Sequence, residues 1–189
     1  MGKFNFLKTP IEGMFVIEPT VFGDSRGYFM ETYNFEEFKL AGLDMTFVQD
    51  NQSKSKKGVL RGLHFQTKNS QGKLVRVISG EVFDVGVDLR PGSSTFGKWY
   101  GEKLSSENKK QLYIPEGFAH GFLVLSDEAE FVYKCTKVYD PSGEGGLRWN
   151  DPDISIDWPL EKGMEILLSE KDKVQPLFSQ YLKTIEGKV

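Results

Sequence analysis

Apolar and polar residues trade places at every second position through most of this chain. That period puts successive side chains on opposite faces of a β-strand. Residues 14–18 predict a strand, residues 23–27 a turn and residues 28–33 a second strand. Residues 47–52 predict a strand that turns polar, followed by a basic, exposed loop over 53–58. Sheet returns at 59–66, and the polar residues 67–72 form a loop. Further strands are predicted over 100–104, 110–114, 119–125 and 129–139, the last with Phe131, Tyr133 and Cys135 on one face. Gly, Pro, Asn and Ser turns separate them.

Residues 73–89 predict a hairpin about a two-residue turn at Ser79-Gly80. That register sets Val75 opposite Asp84 and Lys73 opposite Gly86. Lys73, Val75, Val82, Asp84 and Gly86 then share one face, while Leu74, Ile78, Phe83, Val85 and Val87 form an apolar face. Lys73 and Asp84 become diagonal neighbours, Gly86 leaves space opposite Lys73, and the mixed face reads as the lining of a pocket. Helical periodicity is scarce. Asn34 can cap a short helix over 35–41, with Glu37 three residues on and Gly42 as the stop. Ser169 starts a short final helix.

Many short strands with regular turns predict a mainly β protein, a jelly-roll sandwich or barrel with a few short helices. The length suits one domain over residues 1–189, with an irregular tail over about 150–189. Composition agrees: 15 Phe, 7 Tyr and 3 Trp are what packed sheets use. The net charge of −3 argues against a nucleic-acid binder that works by bulk charge. The single cysteine, Cys135, allows no internal disulfide. No apolar signal segment or membrane-length span is present, so the expected location is the cytoplasm, away from membranes.

Candidate chemistry centres on two histidines. His64, in Arg61-Gly62-Leu63-His64-Phe65-Gln66, is either a hydrogen-bonded core histidine or a general base, since imidazole is neutral and basic near pH 7. His120 sits in Pro115-Glu116-Gly117-Phe118-Ala119-His120, which resembles the second motif of the cupins. Metal-binding cupins also carry a His-x-His pair upstream. Only His64 stands in that region, so a two-histidine, one-carboxylate site stays open and no catalytic metal is favoured. Tyr133 is either packing or a proton donor. Asp172 is either the end of a Ser-x-x-Asp capping box or the partner of an imidazole. Arg26, Arg61, Lys73 and Arg76 would make an anion site if three of them converged. Neither nucleotide-binding glycine fingerprint occurs.

Taken together, Phe22-Gly23-Asp24-Ser25-Arg26-Gly27, Gln49-Asp50-Asn51, Val59-Leu60-Arg61-Gly62-Leu63-His64, Gly72-Lys73-Leu74-Val75-Arg76, Ile114-Pro115-Glu116-Gly117-Phe118-Ala119-His120-Gly121 and Phe131-Val132-Tyr133-Lys134 resemble the dTDP-4-dehydrorhamnose 3,5-epimerases, the third enzymes of dTDP-L-rhamnose synthesis. The order and spacing of these segments along nearly the whole chain carry the resemblance. It implies a cupin-type jelly roll and a homodimer to which the strands of about 1–50 contribute. It implies no metal and no cofactor, and a dTDP-4-keto-6-deoxy sugar as substrate. By resemblance His64 is the base, Asp172 its orienting partner and Tyr133 the acid on the other face of the sugar. Lys73 lies near the C4 oxygen, and Arg61, Asp84 and His120 surround the sugar. Gln49, Asn51 and Tyr139 are ligand contacts, and Phe22, Arg26 and Glu31 reach the nucleotide from a partner subunit. A single-carbon epimerase, a keto-sugar isomerase and a non-catalytic binding module remain alternatives.

Overall fold

The computed structural model describes residues 2–186; residue 1 and residues 187–189, included in the expected domain, lie outside the described residues. In chain order the strands are β1 (Phe4–Lys8), β2 (Phe15–Pro19), β3 (Phe22–Asp24), β4 (Gly27–Phe29), β5 (Gln49–Lys56), β6 (Leu60–Gln66), β7 (Lys73–Ser79), β8 (Glu81–Asp88), β9 (Trp99–Ser105), β10 (Gln111–Ile114), β11 (Phe118–Val124), β12 (Glu128–Cys135) and β13 (Glu144–Gly146). The helices are α1 (Phe35–Leu40), α2 (Glu170–Lys173) and α3 (Phe178–Glu186). A six-stranded sheet runs β1-β2-β10-β7-β12-β5 and a five-stranded sheet runs β13-β6-β11-β8-β9. The two pack face to face as the expected jelly-roll sandwich.

The interior is built by alternation. Val75 and Val77 of β7 and Phe131 of β12 meet Val82 of β8 and Phe122 and Val124 of β11 between the sheets. Residues of opposite parity face outward and are also covered. Leu74 packs with Ile17, Phe38 and Tyr113 beneath α1. Val85 and Val87 pack with Ile154, Trp158 and Phe178 from the C-terminal segment. That segment is therefore a third layer over the five-stranded sheet and not a loose tail.

The expected hairpin over 73–89 does not form, although both of its faces were assigned to the correct parity. β7 pairs with β10 and β12, and β8 pairs with β9 and β11. Ser79-Gly80 is the corner between the sheets. A strand apolar on both faces needs neighbours on both edges, and each of these finds them in a different sheet. Gly80 has φ +79°, and a Cβ there would stand 2.1 Å from the Glu128 carbonyl oxygen, so the corner admits only glycine. Lys73 and Asp84 still face one interior, but from opposite sheets. The space left by Gly86 is taken by Met14, whose Cε would lie 2.8 Å from an added Cβ.

The basic run over 53–58 is strand as far as Lys56, and only 57–58 turn as expected. β5 continues through Lys56 and pairs with β12, with Ser55 buried and Lys54 and Lys56 exposed. Lysines on the outward face of an edge strand are a common guard against edge-to-edge association. β4 stops at Phe29 and β12 at Cys135, both short of the expected ends. β1 and α3 were not anticipated. The Asn34 cap is present, its side chain accepting from the Glu37 amide at 3.2 Å. The Glu37 carboxylate, which a capping box would turn back to residue 34, accepts instead from the Lys3 amide at 2.7 Å.

β6 approaches β11 very closely at Gly62. Its φ is +121°, and a Cβ there would stand 2.6 Å from Gly121 Cα. Gly62→Ala is expected to destabilise the fold by about 3 kcal/mol, since neither backbone can retreat. Urea unfolding measures this; a change under about 0.5 kcal/mol would mean that the strands separate freely there.

Candidate active site

Strict period two would place Arg61 and His64, three residues apart, on opposite faces of β6. The ladder with β11 breaks that period. His64 pairs with His120 and Arg61 with Phe122, so three steps on β6 answer two on β11. This bulge at Gly62-Leu63 turns both polar side chains inward. They line a cavity of about 490 Å³ with Asn51, Ser53, Lys73, His120, Phe122, Phe131 and Tyr133. Arg61 Nε donates to Ser55 Oγ at 3.2 Å, which fixes the guanidinium at the wall.

His64 Nε2 donates to Asp172 Oδ1 at 2.5 Å. The carboxylate accepts the Nε2–H hydrogen bond, which leaves Nδ1 as the nitrogen free to accept a proton. Asp172 is 3% exposed and His64 33%, so the pair is buried at its anchor and open at its working end. Asp172 makes contacts of both kinds. Ser169 Oγ accepts from the Asp172 amide at 3.1 Å and donates to Asp172 Oδ2 at 2.8 Å. One oxygen closes the cap of α2 and the other holds the imidazole. Burial alone would raise the Asp172 pKa, but the hydrogen bonds from His64 and Ser169 outweigh it and leave the carboxyl below its ordinary range.

His120 repeats the arrangement deeper in the cavity. Its Nε2 donates to Asp84 Oδ2 at 2.9 Å, and Asp84 is fully buried. Burial pushes the His120 imidazole pKa down and favours the neutral ring. The six-stranded sheet supplies the facing wall. The Lys73 ammonium stands 5.9 Å from the Tyr133 ring centroid, within cation–π range. Burial pushes Tyr133 up, keeping the phenol protonated, and pushes Lys73 down. Phe122 and Phe131 stack across the two sheets at 4.3 Å, close to His120.

Other expected residues sit at the rim or away from the cavity. Gln49 donates to Asn51 at 2.9 Å and accepts from the Tyr139 amide, which ties β5 to the loop after β12. Tyr139 donates to Glu144 at 2.9 Å. Arg26 is held by Asp24 on the exposed β3–β4 ribbon, and Glu31 pairs with Lys3. With Phe22, neither lines the cavity of its own chain. Of the four basic residues considered for an anion site, only Arg61 and Lys73 converge; Arg76 opens onto an adjoining groove on the outer side of the six-stranded sheet.

Sequence reasoning missed the ion pair of Glu144 with Lys171, which couples β13 to α2 beside the His64–Asp172 pair. It also missed Phe122, Ser53 and Ser55. The parity of the Asn51–Ser53–Ser55 stretch was the available signal, obscured by the lysines between them. Among the described residues no group of three His, Cys, Asp or Glu side chains is placed to hold a metal ion. No helix of the described residues is long and apolar enough to cross a membrane.

The model of the dTDP-4-dehydrorhamnose 3,5-epimerase family matches residues 8–180. The chain belongs to that family. It is 58% identical over 173 residues to the dTDP-4-dehydrorhamnose 3,5-epimerase of Methanothermobacter thermautotrophicus, covering 92% of this chain and 94% of that enzyme. The Salmonella typhimurium enzyme is 58% identical over 180 residues, covering 94% and 97%. The crystal structure of the dTDP-6-deoxy-D-glucose-3,5-epimerase from Legionella pneumophila in complex with dTDP-4-keto-L-rhamnose superposes with a TM-score of 0.90 at 51% identity, covering 93% of each chain. The jelly roll of the epimerase family is thus the fold of this chain.

The depressed Asp172 pKa ties its charge to stability. A carboxyl below its unfolded value stabilises the fold above about pH 4 and loses that contribution as pH falls through the folded value. Asp172→Asn is expected to lower stability at pH 7 by about 1–3 kcal/mol, and the deficit should shrink below about pH 4. Urea melts across pH 3–7 test this; a deficit independent of pH would show that the charge is not what stabilises.

Proposed function

We propose that this protein inverts C3 and C5 of dTDP-4-dehydro-6-deoxy-glucose to give dTDP-4-dehydro-L-rhamnose, in the cytoplasm, on the route to dTDP-L-rhamnose and cell-surface polysaccharide. One observation carries the reading. His64 and Tyr133 project into a single cavity from opposite sheets, so a sugar ring between them meets a base on one face and an acid on the other.

A ketone at C4 makes the hydrogens on C3 and C5 acidic, because the carbanion left behind is an enolate. His64 Nδ1 removes such a proton, and Asp172 stabilises the imidazolium as it forms. The Lys73 ammonium meets the negative charge that develops on the C4 oxygen. Preorganised charge of this kind is often the largest catalytic contribution. Tyr133 returns a proton from the other face, which inverts the centre; it then regains a proton from solvent, and His64 releases to solvent the one it took. Arg61, Asn51 and His120 line the space around the sugar, and Gln49 and Tyr139 stand at the rim. The reaction needs no cofactor, since each step moves only a proton.

The same reading assigns the whole chain to one domain and makes it a homodimer. Phe22 is 52% exposed, Tyr28 60% and Phe29 65% on a ribbon that projects from the sandwich. Arg26 and Glu31, on and beside this ribbon, do not line the cavity of their own chain, which supports a role in that of a second copy.

In deuterated buffer, C3 and C5 of the keto sugar should both acquire deuterium, and the product should have inverted at both. Absence of exchange from both carbons would end the epimerase reading, and inversion at one carbon would favour a single-carbon epimerase. His64→Ala should reduce exchange and inversion together, by about 10²–10⁴-fold. Tyr133→Phe should keep exchange but lose inversion, because the base can still return the proton to the face it came from.

Mixing Arg26→Ala protomers with His64→Ala protomers should restore activity to one site per heterodimer if Arg26 acts in the partner's cavity. No recovery on mixing would confine Arg26 to its own chain.

A further inference from the structure

Two ionisable groups, Lys73 on the cavity wall and Asp84 behind His120, have no direct ion-pair partner of fixed charge among the described residues. Asp84 Oδ2 accepts from His120, but Asp84 Oδ1 is sealed from solvent and has no hydrogen-bond partner among the described residues. The only partner of this carboxylate is therefore a histidine that burial keeps neutral. Across the cavity, Lys73 rests on the Tyr133 ring, and no carboxylate pairs with it directly among the described residues. An isolated buried charge is costly, and the penalty falls when an opposite charge faces it through the same low-dielectric space.

We propose that Asp84 is the counter-charge of Lys73, a positioning residue that acts on the reaction through the ammonium and not by touching substrate. The proposal rests on the epimerase reading for its consequence and on geometry for its basis. β7 and β8 lie in opposite sheets with Lys73 and Asp84 both directed into the sandwich. Substrate cannot reach Asp84, whose side chain is 0% exposed. Its free oxygen leaves a negative potential in the cavity that His120 does not discharge.

The other groups facing Lys73 cannot do the same. From β12 come Tyr133, kept neutral by burial, and Cys135, whose thiol burial also pushes up. From β11 comes His120, and from β6 come His64 and the cationic Arg61. Asp50 of β5 is engaged by Lys134 at 3.0 Å. Burial lowers the Lys73 pKa; a Cys135 thiolate and then Asp84 would oppose that fall, and burial keeps Cys135 a neutral thiol, which leaves Asp84. Among the described residues, Asp84 is the carboxyl directed into the sandwich beside this cavity that has no Lys or Arg bound to it and no second carboxyl partner.

The sign of the effect follows. Removing the Asp84 charge lets the Lys73 pKa fall further, so the ammonium is lost at a lower pH and takes stabilisation of the C4 oxyanion with it. Asp84→Asn is the sharpest variant, because its amide oxygen still accepts from His120 Nε2–H at unchanged size. Lysines would be ¹³C-dimethylated and titrated by NMR, with the Lys73 signal assigned by its absence in Lys73→Arg. The Lys73 titration should move down by about one pH unit in Asp84→Asn. The alkaline limb of kcat should move with it, with KM little changed and activity partly recovered at lower pH. Asp84→Ser, also neutral, should move the titration in the same direction and stands in if Asp84→Asn does not fold. Asp84→Glu, which keeps the charge, should not. A Lys73 titration unchanged in the neutral variants, or lowered equally in Asp84→Glu, overturns the proposal. The titration needs no turnover, so a wild type that failed to epimerise would sink the functional reading and leave this test intact.

Discussion

The extra residue in β6 is the constraint on which the cavity depends. A regular strand could offer Arg61 or His64 to the interior, but not both. The bulge at Gly62-Leu63 offers both, and it forms only because Gly62 and Gly121 let two backbones approach more closely than any Cβ allows. The bulge also keeps Leu63 in the outer apolar layer with Val85 and Leu123. One local irregularity therefore serves the core on one side of the sheet and the chemistry on the other. Bulges recur next to functional sites because they re-aim a side chain without breaking the sheet.

A second dependence runs through Asp172. Its carboxylate joins α2, within the C-terminal layer, to the imidazole at the cavity mouth. The layer is anchored independently, by Trp158 and Phe178 against the five-stranded sheet and by Asp151, which accepts from the Phe178 amide at 2.8 Å. The Glu144–Lys171 ion pair adds a tie from β13, the strand that pairs with β6 through His64. Half-exposed ion pairs of this kind contribute little stability. Its value lies in orientation: it reaches α2 one residue before Asp172, where a small rotation would lengthen the bond to His64.

Much of this was legible in the sequence, and the failures have physical reasons. Alternation located β2, β6, β9, β10, β11 and β12 and assigned the inward parity of Lys73, Val75, Val82 and Asp84 correctly. It could not assign their partners, because parity is a property of one strand and pairing a property of two. Ser79-Gly80 has the composition of a hairpin turn whether the chain doubles back in one sheet or crosses to the other. The lysines of β5 hid the second half of that strand, since an edge strand needs no apolar outer face. The shared inward aim of Arg61 and His64 contradicts the simple period, so only the resemblance could anticipate it. The two roles of Asp172 competed in the sequence because a side chain was credited with one task. A carboxylate has two oxygens, and here each is used.

The electrostatics of the cavity explain why one carboxylate is left with a free oxygen. Proton transfer on both faces of a keto sugar calls for a neutral acid, a neutral base and a fixed cation at the carbonyl. Burial favours the uncharged form of any group. It therefore helps Tyr133 remain a phenol and His120 remain a neutral imidazole. His64 escapes strong burial at the cavity mouth, and in the proposed reaction Asp172 offsets the charge it gains. Lys73 alone is asked to stay charged where burial works against it. A direct ion pair would hold that charge but would also neutralise it toward substrate. A carboxylate set across the cavity, bound to a neutral partner and denied a second one, sustains the ammonium while leaving its face open to a developing oxyanion. Asp84 occupies that position, and its unsatisfied oxygen is the cost of the arrangement.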